Sequence, residues 1–265
     1  MTLKEIIKLN NALGKDLIVD GIKYYIENDK VIAVATDKFN STEVKLLGAE
    51  VIAPRAFYGC GNLKSIEIPC EVEAIGYSAF YSCGSLSAIK MPNVKSISIE
   101  AFAECYSLQA VEANNAFDVC KGTFKNCTNL QTVELSNVRY IGDPIFEGCT
   151  SLEAVKMPNI TKIGTHSFKG CASLHTVELS HAVYIQDYAF EGCTSLRNIQ
   201  LPDGLRHIGS FAFYRSGLEY VAIPESVISI GIGAFAVCKH LQKVKLPVKL
   251  KSEFDDDIGI EYEYY

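Results

Sequence analysis

Nine phenylalanines recur along the chain at near-constant spacing: Phe57, Phe80, Phe102, Phe124, Phe146, Phe168, Phe190, Phe213 and Phe235, every step being 22 or 23 residues. Other columns keep the same phase. Three residues after the phenylalanine comes a cysteine in eight units, with Ser216 in the remaining one. Six after it comes a leucine, except that Leu218 arrives one residue early. A β-branched residue follows (Ile66, Ile89, Val111, Val133, Val155, Val177, Ile199, Val221, Val244), then a second apolar residue, often with proline behind it. A fixed period of this length specifies stacked, near-identical coils.

The alternation at the end of each Leu-x-x-Val-x-Leu stretch predicts a short strand with two side chains turned inward. A following proline has no N–H for a ladder and ends the strand. A second apolar pair, such as Val72 and Ile75 or Val138 and Ile141, leads into the next phenylalanine. One such coil cannot bury its own apolar face, whereas a stack shares a continuous core. At a strand spacing of about 4.8 Å, the stack is a rod or arc of about 40–45 Å.

The stretches FYGCGNLKSIEIP, FEGCTSLEAVKMPNITKIGTHSF and FEGCTSLRNIQLPDGLRHIGSFAF closely resemble the BspA-like branch of the leucine-rich repeat family, over residues 44–247. The resemblance implies a right-handed, leucine-rich-repeat-like solenoid of about nine coils of 22–23 residues, curved or twisted. It also implies a place on bacterial or protist surfaces and binding to host or matrix proteins. The family has no catalytic signature, so no catalytic residue is carried over. Residues 113–115 replace the usual apolar-proline pair, and Cys120 stands where Gly76 and Gly142 stand elsewhere, so a local irregularity is expected in that coil.

Residues 1–43 read as an N-terminal cap. Thr2 and Glu5 fit a capping box, and Leu3, Ile6, Ile7 and Leu13 form one face of a short helix closed by Gly14. Three strands of a β-meander follow at 17–19, 22–26 and 30–35, turned by Asp20-Gly21 and Asn28-Asp29. Residues 248–265 read as a C-terminal cap: an acidic run at 253–257, then a closing strand alternating Ile258, Ile260, Tyr262 and Tyr264 with Gly259, Glu261 and Glu263. The whole is one structural domain.

Charge narrows the partners. With 25 Lys+Arg against 31 Asp+Glu, the formal net charge of −6 argues against nucleic acid. No apolar run approaches the roughly 18 residues of a membrane span, so no membrane insertion is expected. Lys4, Glu5, Lys8 and Asn10 interrupt the first apolar residues, so the chain as it stands carries no signal peptide. Family resemblance places the protein at the cell surface or outside the cell; a true start at Met1 places it in the cytoplasm.

Candidate chemistry is sparse. Eight of the ten cysteines lie in one repeat column, which reads as small buried apolar groups. Cys70 and Cys120 lie outside it and are the reachable pair. The five histidines show no metal-ligand spacing. Nucleophile elbows and phosphate-cradling glycine motifs are missing from the sequence, and residues 255–257 lack the spacing of a calcium loop. No catalytic residue, metal or cofactor is assigned.

Two outward columns remain as candidate binding surfaces. The strand row is Glu67, Lys90, Glu112, Glu134, Lys156 and Glu178, continuing through Gln200, Ala222 and Lys245. The second row includes Tyr140, Lys162, Tyr184 and His207, with Arg139 and Arg206 beside it; Tyr, His and Arg are types enriched at interface centres. The reading is a non-enzymatic protein-protein recognition module, adhesin-like and surface or secreted. The alternatives are an intracellular scaffold or inhibitor using the same surface, and a carbohydrate-binding surface protein with Tyr140 and Tyr184 on one face.

Overall fold

Each coil carries two short β segments, and successive coils stack them into two parallel ladders. The computed structural model describes residues 1–253 and 261–265. The first ladder runs through Glu43–Lys45, Ser65–Glu67, Ala88–Lys90, Ala110–Glu112, Thr132–Glu134, Ala154–Lys156 and Thr176–Val177 without a break. An Asn198–Tyr220 bridge resumes it, and Tyr220–Ala222, Lys243–Leu246 and Glu261–Tyr264 extend it in parallel register. In each strand the β-branched middle residue points inward, as period-2 alternation requires; Ile66, Ile89, Val111, Val133 and Val155 are all buried. The second ladder contains Val51–Ile52, Ala74–Ile75, Ser96–Ile97 and Asp118–Val119, then Lys162–Ile163, Tyr184–Ile185, His207–Ile208 and Ser229–Ile230.

The phenylalanines form a single stack through the core. All nine are buried, and neighbouring ring centroids lie 5.0–5.7 Å apart. The half-buried Phe39 closes the N-terminal end, edge-on to Phe57 at 5.5 Å. The cysteine column braces this stack. Cys83 Sγ donates to Phe57 O at 3.0 Å, Cys105 Sγ to Phe80 O at 3.1 Å and Cys149 Sγ to Phe124 O at 3.0 Å. Within its own coil, the same type of carbonyl already accepts a cysteine N–H, as from Cys83 to Phe80 at 3.0 Å. A thiol is small enough for the packed interior and still offers a weak donor to the second lone pair.

Two left-handed residues flank the phenylalanine in nearly every coil. Two positions before it, Arg55, Ser78, Glu100, His166, Tyr188 and Phe211 have φ between 49° and 56°. Two positions after it, Ser82, Glu104, Asn126, Arg215 and Val237 have φ between 56° and 61°. These reversals turn the chain around the ring, at a cost that non-glycine residues bear only when packing demands it. On the opposite corner, Asn93, Asn115, Asn137 and Asn159 each donate a side-chain N–H to a carbonyl of the preceding coil, at 2.6–2.9 Å. His181 continues that column, with Nδ1 2.8 Å from Pro158 O.

The irregularity expected at residues 113–120 lies one coil later. Both strands of that coil pair on both sides, Ala113 is buried, and Cys120 N–H donates to Ile97 O like its counterparts. The second ladder instead thins to single bridges, Val119–Ile141 and Tyr140–Lys162. Pro144 occupies the left-handed position before Phe146; its ring holds φ negative and it has no N–H to pass on. The Asp143 side chain lies over Gly164, where a Cβ would come within 1.2 Å of its Oδ1. Among the described residues, Gly164 N–H lacks the bond to the preceding coil that Gly142 makes to Val119 O at 3.0 Å. The phenylalanine stack registers the same fault. Rings are tilted by 23° at Phe146–Phe168, against 1–9° at the other steps.

At the N-terminus, helix α1 (Leu3–Ala12) starts in a complete capping box between Thr2 and Glu5. Leu13, expected on its buried face, is the C-cap and is 65% exposed, because the helical period ends at Ala12. Strands β1 (Leu17–Val19), β2 (Ile22–Glu27) and β3 (Lys30–Ala35) form the meander, with positive φ at both residues of Asp20-Gly21 and Asn28-Asp29. That is the turn geometry matching strand twist. β3 pairs in parallel with Val51–Ile52, so the meander and the start of the second ladder are one seven-stranded sheet. The expected acidic run from residue 254 and the start of the closing strand lie outside the described residues; Glu261–Tyr264 pairs with Lys243–Leu246.

Replacing Phe146 by Ala removes a ring packed against Phe124 and Phe168. The expected loss is about 3–5 kcal/mol, measured by denaturant unfolding. An unchanged midpoint and slope would contradict the packed stack.

Candidate recognition face

The strand row faces outward as the alternation requires, but its charges answer one another. Lys45 Nζ lies 2.9 Å from Glu67, Lys90 3.5 Å from Glu112, and Lys156 2.6 Å from Glu134. These partners occupy the same position in consecutive coils, so the ladder itself brings them together. The bonded Lys156 ammonium holds Glu134 below the ordinary carboxylate range. Glu178 continues the row, in contact with Ser180 Oγ at 3.5 Å. The floor beside the row is made of small residues, Ala110, Thr132, Ala154 and Thr176, giving a shallow trough of about 530 Å³. This face is closely charge-balanced over the first coils.

The second ladder is different. Tyr140, Lys162, Tyr184, His207 and Ser229 stand in direct register, one per coil. Tyr140 and Tyr184 are exposed at 65% and 45%. Arg139 and Arg206 are also exposed, each one residue ahead of the column. Among the described residues, Arg139, Lys162 and Arg206 make no ion pair; Arg206 reaches only the Ser226 carbonyl, at 3.4 Å. His207 stacks on Tyr184 at 5.1 Å and 6°, and its Nδ1 lies 2.8 Å from Ser229 Oγ. The two rings cover one face of each other, so the column offers ring edges and a row of cations. Beside them is a hollow of about 350 Å³ whose lining includes Thr165, Gln186, Asp187 and Ser210. Asp187 Oδ1 there accepts the Ser210 N–H at 2.8 Å.

One aromatic group was not anticipated from the sequence. Arg55 lies over the Tyr58 ring at 4.3 Å, and Tyr58 stacks on Tyr81 at 5.1 Å. A hydrogen bond to Glu104 pushes the Tyr81 hydroxyl up to about 12. The sequence signal was present: Tyr58 and Tyr81 both directly follow the phenylalanine of their coils.

Among the described residues the cysteines form no disulfide. Burial pushes the thiols of Cys105, Cys127, Cys149 and Cys171 far above their ordinary value, which removes the thiolate needed for nucleophilic or redox chemistry. Cys70 is exposed, Cys60 and Cys120 half-buried. Among the described residues, no group of three or more His, Cys, Asp and Glu side chains is placed to hold a metal ion, and no helix is long and apolar enough to cross a membrane.

The family model for the BspA type leucine-rich repeat region matches residues 50–175 and 161–256, in six copies. No curated protein matches the chain. Among solved structures, a leucine-rich repeat protein from Bacteroides ovatus ATCC 8483 is 21% identical, with a TM-score of 0.51 over 94% of this chain and 100% of that one. The T. pallidum leucine-rich repeat protein is also 21% identical, with a TM-score of 0.57 over 86% of this chain and 91% of its own. At that identity the likeness is one of fold.

Two outcomes test the site's chemistry. With a thiol reagent, Cys70 of the native protein labels quickly and the buried column only after denaturation; fast native labelling of Cys127 or Cys149 would contradict the burial. Replacing Lys156 by Gln leaves the denaturant unfolding midpoint unchanged, because its pair with Glu134 is solvent-screened. A lowered midpoint would make the strand row a source of stability.

Proposed function

The chain belongs to the BspA-type leucine-rich repeat family, and from that membership we propose that it is a non-enzymatic protein-recognition module, exported and displayed at the cell surface or secreted. In this reading residues 1–43 close one end, 44–247 carry the binding surfaces, and 248–265 close the other. The docking face is the second ladder around Tyr140, Lys162 and Tyr184, flanked by Arg139, Arg206 and His207. The observation that carries this choice is the contrast between the two faces. The first ladder spends Lys90 and Lys156 on Glu112 and Glu134, whereas Arg139, Lys162 and Arg206 have no ion-pair partner among the described residues. Exposed tyrosines beside arginines free of ion pairs among the described residues are the composition of interface centres. From Lys162 to Ser229 coil-to-coil pairing holds this surface in register, so docking there loses little conformational entropy. The partner is a protein surface of acidic character.

Two measurements test this. Protease shaving of intact source cells, followed by antibody, releases a surface protein. Protection together with recovery in the cytosol would overturn display and leave an internal scaffold or inhibitor. The triple variant Arg139→Glu, Lys162→Glu, Arg206→Glu is compared with Lys45→Gln in solid-phase binding to a panel of extracellular matrix proteins. The triple variant binds at least about tenfold more weakly and the single variant like the parent, since charge complementarity governs encounter and register. Equal binding by all three proteins would overturn the assignment of the face.

A further inference from the structure

The early arrival of Leu218 becomes a hollow in the solenoid wall. Regular coils turn from the core as Cys-x-x-Leu; this coil has only Ser216, Gly217 and Leu218. The shortened turn is drawn onto the preceding coil. Gly217 N–H donates to Cys193 O at 3.0 Å, and a Cβ on Gly217 would sit 2.1 Å from Thr194 O, so only glycine fits. Arg197 Nη1 reaches the Gly217 carbonyl at 3.4 Å. The following coil keeps a full-length turn, Cys238 to Leu241. The mismatch leaves a space of about 390 Å³ lined by Thr194, Arg215, Ser216, Gly217, Lys239 and His240.

A backbone rung is lost at the same place. In the three preceding coils the residue before the leucine donates its N–H to the coil before it: Ser151 to Thr128 O at 3.1 Å, Ser173 to Thr150 O at 3.1 Å, Ser195 to Ala172 O at 3.0 Å. His240 occupies that position; the acceptor in those coils is the residue after the column cysteine, and here that residue is Gly217, whose carbonyl is met by Arg197 Nη1 instead. Among the described residues its N–H has no acceptor in the chain. The charges are also unanswered. Arg215 and Lys239 make no ion pair among the described residues, and the nearby Glu219 is engaged by Arg197 at 3.7 Å. Arg215 is steadied by its guanidinium lying 5.0 Å from the Tyr214 ring centre.

We propose that this hollow is a binding site for a tetrahedral oxyanion, a phosphate or sulfate group, free or as a monoester. The Arg215 fork suits two oxygens of such a group, and the Lys239 ammonium is a point charge for a third. The His240 N–H is a neutral donor beside them. In a protein of net charge −6, two cationic side chains, Arg215 and Lys239, at one hollow select an anion locally against the global field. The site is separate from the second-ladder face and stands whether or not that face binds protein.

The test is a backbone-amide NMR titration of the full chain at constant ionic strength, with inorganic phosphate, inorganic sulfate, glucose 6-phosphate and sodium chloride as probes. Phosphate and sulfate give saturable shifts centred on Gly217, Lys239 and His240, with a dissociation constant in the millimolar range. Saturation by glucose 6-phosphate as well assigns an ester; saturation by the inorganic ions alone assigns a free anion. Arg215→Gln and Lys239→Gln each weaken binding roughly tenfold. A Thr inserted after Ser216 restores the regular turn, fills the hollow and removes saturation while the chain stays folded by circular dichroism. Shifts that fail to saturate, that chloride reproduces, or that survive the insertion overturn the proposal.

Discussion

The structure depends on one contact repeated along its axis: a phenylalanine ring stacked on the ring of the next coil, its carbonyl accepting a thiol proton from that coil. The ring supplies apolar area where a coil has no other core. The thiol satisfies a lone pair that would otherwise be buried without a partner, a deficit that costs more than the bond itself returns. Cysteine suits the position because serine's hydroxyl demands more than one partner and alanine offers none. Where serine does occur, at Ser216, its hydroxyl turns toward Cys238 Sγ at 3.3 Å. The left-handed residues on either side of the phenylalanine follow from the same contact. The chain has to reverse tightly enough to bring each ring directly under the next.

Much of this was legible in the residues. Spacing alone gave the coil, the inward and outward columns, the buried cysteines, and the outward placement of Tyr140 and Tyr184. The capping box at Thr2 and both hairpin turns were equally direct, because each rests on local chemistry within four residues. Three things were not legible for physical reasons. Left-handed φ at Glu100 or Val237 runs against residue preference; packing imposes it, and no propensity signals it. The ladder fault was expected at Cys120, where a column changes residue type, but a half-buried side chain is tolerated there. It fell at Pro144, where the missing N–H and the fixed φ both matter. The neutralisation of Lys90 by Glu112, and of Lys156 by Glu134, needed register, which a residue list does not contain.

The two faces illustrate how a repeat produces specificity. Each position recurs at every coil, so a column is a sequence written across the surface, one side chain per strand spacing. Opposite charges in the first ladder cancel in neighbouring pairs, Lys45 with Glu67, Lys90 with Glu112 and Lys156 with Glu134. The second ladder interleaves aromatic and basic residues between Tyr140 and His207, and among the described residues no carboxylate forms an ion pair with Arg139, Lys162 or Arg206. The same backbone therefore presents one closed and one open surface, and substitutions on either leave the core untouched.

The fault at Pro144 lies on one side only. The first ladder runs through it without interruption, while the second is held there by single bridges and the ring stack tilts by 23°. Mechanically the molecule resembles a book whose spine is the first ladder and whose pages are loosest between the coils of Phe146 and Phe168. Tension applied to its ends, as between a cell and an anchored partner, opens it at this seam first. Tyr140 and Lys162 sit across the seam, so load would spread the recognition face before it unravelled the coils on either side.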